Sequence, residues 1–185
     1  MQFKYIADNA LPDLAIQEHC QCCGEYKPIY RLGREVLIND QWQQVDELCA
    51  DCLQHATIEA DCWLNIEAVQ RMLNHYYPKG SFSKGSIDKA QKKARATAIL
   101  DALLHTPTIV LELSDWPHCC ADYVPFSGKV GRSYQGELQQ LMPWPTQDAD
   151  TEHPQTLASM IAGEDPVLTF SCPHCGKRYW LCQPS

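Results

Sequence analysis

The sequence predicts an α+β fold: short antiparallel strands and about two main helices, assembled on cysteine-bearing ribbon and knuckle turns. Three observations predict it. Cysteines recur as C-x-x-C pairs at Cys20/Cys23, Cys49/Cys52 and Cys172/Cys175, each beside strand-like text. Apolar residues hold a helical period over 63–76 and again from Ile87 to Leu104. At 185 residues, the chain suffices for one compact domain. Within it we expect an N-terminal ribbon module over 1–60, a helical segment over 61–105 and a C-terminal strand and knuckle module over 106–185.

Phe3-Lys4-Tyr5-Ile6 is a short apolar start, a strand or an arm laid on the core, followed by Pro12. The first knuckle is Cys20 to Cys23, with Gly24 relieving the tight turn. Two intervening residues let both sulfurs of a pair point at one ion. Two such pairs supply the four thiolates of tetrahedral zinc, with Zn–S distances of about 2.3 Å. Cys20, Cys23, Cys49 and Cys52 are therefore the predicted ligands of a first centre, and Cys22 competes with Cys20 inside the turn. The 25 residues between Cys23 and Cys49 accommodate a β-hairpin. Tyr26 to Leu32 and Glu35 to Ile38 read as strands, with Asn39-Asp40 as a turn. Trp42 and Leu48 are expected to cover the metal.

From Cys49 the pattern turns helical. Leu64, Ala68, Met72 and His75 mark a helix over 63–76, ended by Pro78. Ser86 is the expected N-cap of the next helix, with Asp88 in its first turn. Ile87, Ala90, Ala94, Ala98 and Ala102, joined by Ile99 and Leu103, form its apolar stripe. The helix stops before Thr106-Pro107. Thr108 to Leu113 reads as a buried strand, and Pro143-Trp144-Pro145 with the acidic 147–152 stretch as a surface linker. Pro154 to Ala162 reads as a short helix. Val167 to Phe170 and Arg178 to Leu181 are expected to flank the last knuckle as a hairpin.

That knuckle, Cys172-Pro-His-Cys175-Gly176, needs two more ligands. His118, Cys119 and Cys120 upstream and Cys182 downstream are the candidates. On an extended strand His118 and Cys120 share a face; in a tight turn Cys119 and Cys120 both reach one ion. The second predicted ligand set is Cys119, Cys120, Cys172 and Cys175, giving two zinc ions per chain. The rival is a single site joining Cys20/Cys23 to Cys172/Cys175, as C-x-x-C-G turns hold iron in rubredoxin-like proteins; it strands Cys49/Cys52. Cys62 and Cys182 are read as buried thiols.

The chain carries 15 Lys and Arg against 23 Asp and Glu, a net charge of −8, and its mean hydropathy is −0.35. No apolar run reaches the ~18–20 residues of a membrane span. The odd count of 11 cysteines and the absence of a secretory leader from the first residues argue for a reducing, cytoplasmic setting. Lys79, Lys84, Lys89, Lys92, Lys93 and Arg95 form a basic stretch. Nucleic-acid binding there is the alternative; a solvated face is preferred, because the rest of the surface is repulsively negative. Enzyme motifs are missing: no H-E-x-x-H, no H-x-E before a P-C-x-x-C, no G-x-S-x-G. Gly80 to Gly85 shares only glycine spacing with a phosphate-binding loop. A fully thiolate-ligated zinc offers no open position, so the expected role is noncatalytic, with an unidentified protein as partner. The one route to a metal-dependent enzyme is an incomplete second site near His118 and Asp122.

Five motifs in order resemble the CbrC-like family of bacterial cytosolic proteins of uncharacterised function. They are Phe3-Lys4-Tyr5; Cys20-Gln-Cys-Cys-Gly24; Leu48 to Cys52; Trp116 to Gly128 after Thr106-Pro107; and Phe170 to Lys177. Tyr30 to Gly33 fits a further motif loosely. The resemblance spans nearly the whole chain. It departs at Cys119, where the family usually has His, and at Val124, where it has a second Cys. Either Cys119 or His118 then stands in for the thiol lost at Val124.

Overall fold

The structure, a computed structural model, describes residues 3–60, 64, 66–78, 88–110, 113–130, 140–145, 161 and 166–182. Its architecture is the expected α+β class. The arm places Phe3, Tyr5 and Ile6 in the core, and Ile6 forms a parallel bridge to Phe126. A 3-10 turn over Asp8–Asp13 leads to β1 (Ile16–His19), β2 (Tyr26–Ile38) and β3 (Gln41–Cys49), an antiparallel sheet in that order. Asn39 and Asp40 both have positive φ, 51° and 61°, the backbone of a two-residue hairpin turn whose twist suits the strands. Trp42 pairs with Leu37 beside this turn and is 47% exposed, so it covers no cysteine. Leu48 is fully buried, next to Cys49 in sequence.

After β3 come α1 (Ala50–His55), α2 (Ile66–Tyr76) and α3 (Lys89–Leu104). The α3 cap is Asp88 rather than Ser86. Its carboxylate accepts from Gln91 N at 2.7 Å while Asp88 N donates to Gln91 Oε1 at 3.0 Å, a reciprocal capping box. The buried face of α3 is Ala96, Ile99 and Leu103. Ala90, Ala94 and Ala98 are exposed, which corrects the predicted stripe. Ile99 and Leu103 bring the bulk, and the helix rolls to bury them at the expense of methyl groups.

The C-terminal end of α3 is satisfied group by group. Asp101 O accepts from His105 N, Ala102 O from Thr106 Oγ1 at 2.7 Å, and Leu104 O from Arg34 Nη1 at 3.1 Å. Leu103 O receives Thr106 N at 3.1 Å and the same Arg34 nitrogen at 3.4 Å. All four carbonyls a helix leaves open are thus partnered. Arg34 reaches them because the β2–β3 register shifts between Arg31 and Arg34, at Gly33 with φ 65°. Thr108 fills the same irregularity: its N donates to Arg31 O and its Oγ1 to Leu32 O. Residues 108–110 therefore lie against β2 without forming the predicted strand, and 111–112 fall outside the described residues.

β4 (His118–Cys119) and β5 (Asp122–Tyr123) make a minimal hairpin. β6 (Phe126–Val130), β7 (Leu141–Pro143), β8 (Val167–Ser171) and β9 (Arg178–Cys182) form a four-stranded sheet ordered β6-β8-β9-β7, with β7 parallel to β9. Leu141–Pro143 is thus a strand where a linker was expected to begin. The main core draws side chains from all three sequence segments; a smaller cluster gathers Val130, Leu141, Val167 and Trp180. Ser86, Gly80 to Gly85, the 147–152 stretch, Cys62 and all of the Pro154 to Ala162 helix except Ile161 lie outside the described residues. No described helix is long and apolar enough to cross a membrane.

Candidate metal centres

The two C-x-x-C-G turns adopt one local design. Cys20 N donates to Glu25 O and Gly24 N to Cys20 O; Cys172 N donates to Lys177 O and Gly176 N to Cys172 O. Gly24 and Gly176 have φ 71° and 72°, a left-handed conformation that a side chain would strain. Each turn thereby aims its two sulfurs to the same side of the chain.

The first knuckle meets the end of β3. Gln21 fastens it, its Oε1 accepting from Asp46 N and Glu47 N. Cys49 closes β3 and caps α1, its Sγ accepting from Cys52 N, so strand end and helix start each place one thiol. Cys20, Cys23, Cys49 and Cys52 bring their Sγ atoms within 4.8 Å of one another. The second knuckle meets the β4–β5 turn, where Cys120 and Ala121 hold φ 55° and 60°. There Cys119, Cys120, Cys172 and Cys175 form an equivalent tetrad. The Cys23–Cys49, Cys119–Cys120 and Cys119–Cys175 sulfur pairs stand 4.0, 3.7 and 3.4 Å apart. A zinc–thiolate tetrahedron with about 2.3 Å bonds has edges of about 3.8 Å, so both donor sets fit such an ion.

Thiolate charge is supported differently at the two centres. Burial opposes the Cys20 thiolate, but backbone N–H groups of Cys23, Cys49 and Cys22 outweigh it and lower the thiol to about 6. Burial and the neighbouring sulfurs push the Cys52 thiol upward. In the second tetrad the Lys177 backbone N–H, followed by Cys119, lowers Cys175 to about 7, while hydrogen bonds to Cys119 and Cys175 push Cys120 up to about 12. Such a split marks sulfurs that share protons until a cation replaces them. Lys27 lies near Cys49 and Cys23 and is paired with Glu25 and Asp51.

Several expected donors stand aside. Cys22 is exposed and outside the first tetrad. Cys182 packs against the small C-terminal cluster. His118 turns to α2, its Nδ1 2.9 Å from the Tyr76 hydroxyl. Val124 is buried, and its carbonyl accepts from Trp116 Nε1 at 2.9 Å. Asp122 is spent on the arm: Tyr5 Oη donates to its Oδ1 at 2.7 Å and Lys4 Nζ reaches Oδ2 at 3.0 Å. The single-site rival fails on geometry, since each C-x-x-C-G turn closes with a different partner pair.

Sequence reasoning missed the supporting residues. Tyr179 stands close enough to the Cys119 sulfur to favour its charge, and Tyr76 lies close enough that burial and the four sulfurs raise its hydroxyl to about 12. Nothing in their local spelling separates them from other tyrosines. Lys92 and Arg95 turn inward, to Tyr77 O at 2.6 Å and Tyr77 Oη at 3.3 Å, so the basic face of α3 is interrupted.

No curated protein and no solved structure matches this chain. The match that exists covers residues 1–182 and therefore takes in both cysteine tetrads, the arm and the helices between them: the chain belongs to the Uncharacterised protein family (UPF0167).

Proposed function

We propose that this is a noncatalytic zinc protein in which two four-thiolate centres hold the fold and present a binding or regulatory surface to a protein partner. The observation that carries the reading is the pair of all-cysteine tetrads. Thiolate is the donor that zinc favours in closed structural sites, and four of them leave no position for water or substrate. Closure by Cys119 and Cys120 weighs against an enzyme at an incomplete second site. The inward turn of Lys92 and Arg95 weighs against a nucleic-acid stripe on α3. Cysteines gathered in all-thiol tetrads suit a reducing, cytoplasmic compartment. The five motifs in register support the narrower CbrC-like placement within the family.

Metal analysis of protein purified without added metal tests the reading. About two equivalents of zinc per chain are expected from the two donor sets, and less than about one equivalent of any metal overturns it. Iron in place of zinc would keep the centres and change their chemistry, and would show as colour.

A further inference from the structure

We propose that α2 and α3 register whether the C-terminal centre is loaded, through a contact between Tyr76 and His118. The inference rests on metal occupancy of the Cys119/Cys120/Cys172/Cys175 tetrad.

Tyr76 is the last residue of α2. Its hydroxyl donates to the His118 carbonyl at 2.9 Å and lies 2.9 Å from His118 Nδ1. One hydroxyl serves both when Nδ1 carries the imidazole proton and donates it. Two bonds to a single residue fix that residue's position, and His118 directly precedes Cys119. Trp144 packs edge-to-face and His75 at a tilt against the same imidazole, with ring centroids 4.9 and 5.7 Å away.

Beyond Cys119 the chain passes through two non-glycine residues at positive φ, Cys120 and Ala121. Such a conformation persists where the surroundings enforce it. Without an ion the crowded sulfurs of the tetrad share protons; a bound cation replaces those protons with four bonds and so enforces the turn. Loss of the ion removes the constraint on 118–123, and His118 is the first residue to move with it. Tyr76 then loses both partners at the end of α2. The next residue, Tyr77, holds Lys92 through its carbonyl and Arg95 through its hydroxyl, so the change passes to α3. By linkage, a helix pair that senses the ion also strengthens its binding by the same factor.

Hydrogen exchange in a two-by-two set separates this from plain structural support: the parent, Cys175→Ser, Tyr76→Phe and the double variant. Cys175→Ser is expected to speed amide exchange in 66–76 and 89–104 by about tenfold while leaving 26–49 unchanged. In the Tyr76→Phe background the same change is expected to act by less than about threefold. Tyr76→Phe alone keeps two metal equivalents, weakens the C-terminal centre several-fold in competition with a chelator, and shifts the thiolate-to-cobalt band of that centre. Equal acceleration in both backgrounds, or opening of 26–49 together with the helices, overturns the proposal and leaves the metal reading standing. A parent chain without metal at this centre overturns both.

Discussion

Arg34 sits 3% exposed inside an acidic protein, and its charge is directed at the negative end of α3. Removing it leaves Leu104 O without that donor and empties a long side chain's volume. Arg34→Met should therefore cost about 2–3 kcal/mol, read as a lower urea midpoint at constant slope. A loss below about 0.5 kcal/mol would show that water replaces the guanidinium freely. The cysteines make a sharper contrast within one turn. Cys22→Ser should keep both metals, whereas Cys23→Ser should lose one, and counting metal per chain distinguishes neighbours in sequence. At this scale the knuckles were legible because C-x-x-C-G leaves the backbone little choice. The vicinal Cys119-Cys120 pair fits one ion only through a tight turn, and the local sequence does not name that turn. Its two central residues, Cys120 and Ala121, adopt positive φ with no glycine, asparagine or aspartate to announce it. The contact that chose between His118 and Cys119 as donor comes from Tyr76, forty-two positions away from His118.

Among the elements, α3 shows how periodicity alone can pick the wrong side of a helix. Ala90, Ala94 and Ala98 repeat every four residues as regularly as any core stripe, yet the bulky Ile99 and Leu103 decide the roll. Its start was misplaced by two residues for a related reason. Ser86 and Asp88 are both good caps, and only Asp88 has Gln three positions on to answer it. Asp88→Ala should cost about 1 kcal/mol, measured by chemical denaturation, with Gln91→Ala removing part of the same increment. The β2–β3 hairpin offers a change of opposite sign. Asp40 holds φ 61° in the tight turn, where glycine is at ease, so Asp40→Gly should stabilise by about 0.5–1 kcal/mol. A fall in melting temperature would mean that the aspartate side chain supports the turn in a way its backbone does not reveal. The hairpin itself was legible from Asn39-Asp40. The Gly33 irregularity was visible only as a glycine, because what it makes room for, Arg34 under α3 and Thr108 beside β2, is brought there by the rest of the fold.

For the whole molecule, metal held at both tetrads, as proposed, makes loading and folding one equilibrium. Every ligand must be a thiolate to bind, so acid and chelator act in the same direction. Falling pH protonates the sulfurs, releases metal and lowers stability; rising pH reverses the change. Thermal unfolding followed from neutral pH downward should show the midpoint and the bound zinc declining together, and a midpoint indifferent to added chelator would remove the centres from the folding account. The two tetrads also lie at very different depths in the chain. The ligands of the first are complete at Cys52; those of the second wait for Cys175. At a translation speed of about 5–20 residues per second, the 123 residues from Leu53 to Cys175 take about 6–25 s to synthesise. Over the last 55 of those residues Cys119 and Cys120 have already been made and have no partners for their sulfurs, while the first centre has had all its ligands since Cys52. A nascent chain that loads its first centre therefore passes through a stage in which its front end is closed and two thiols are unguarded, and a metal supply that fills one centre but not two should hold it there.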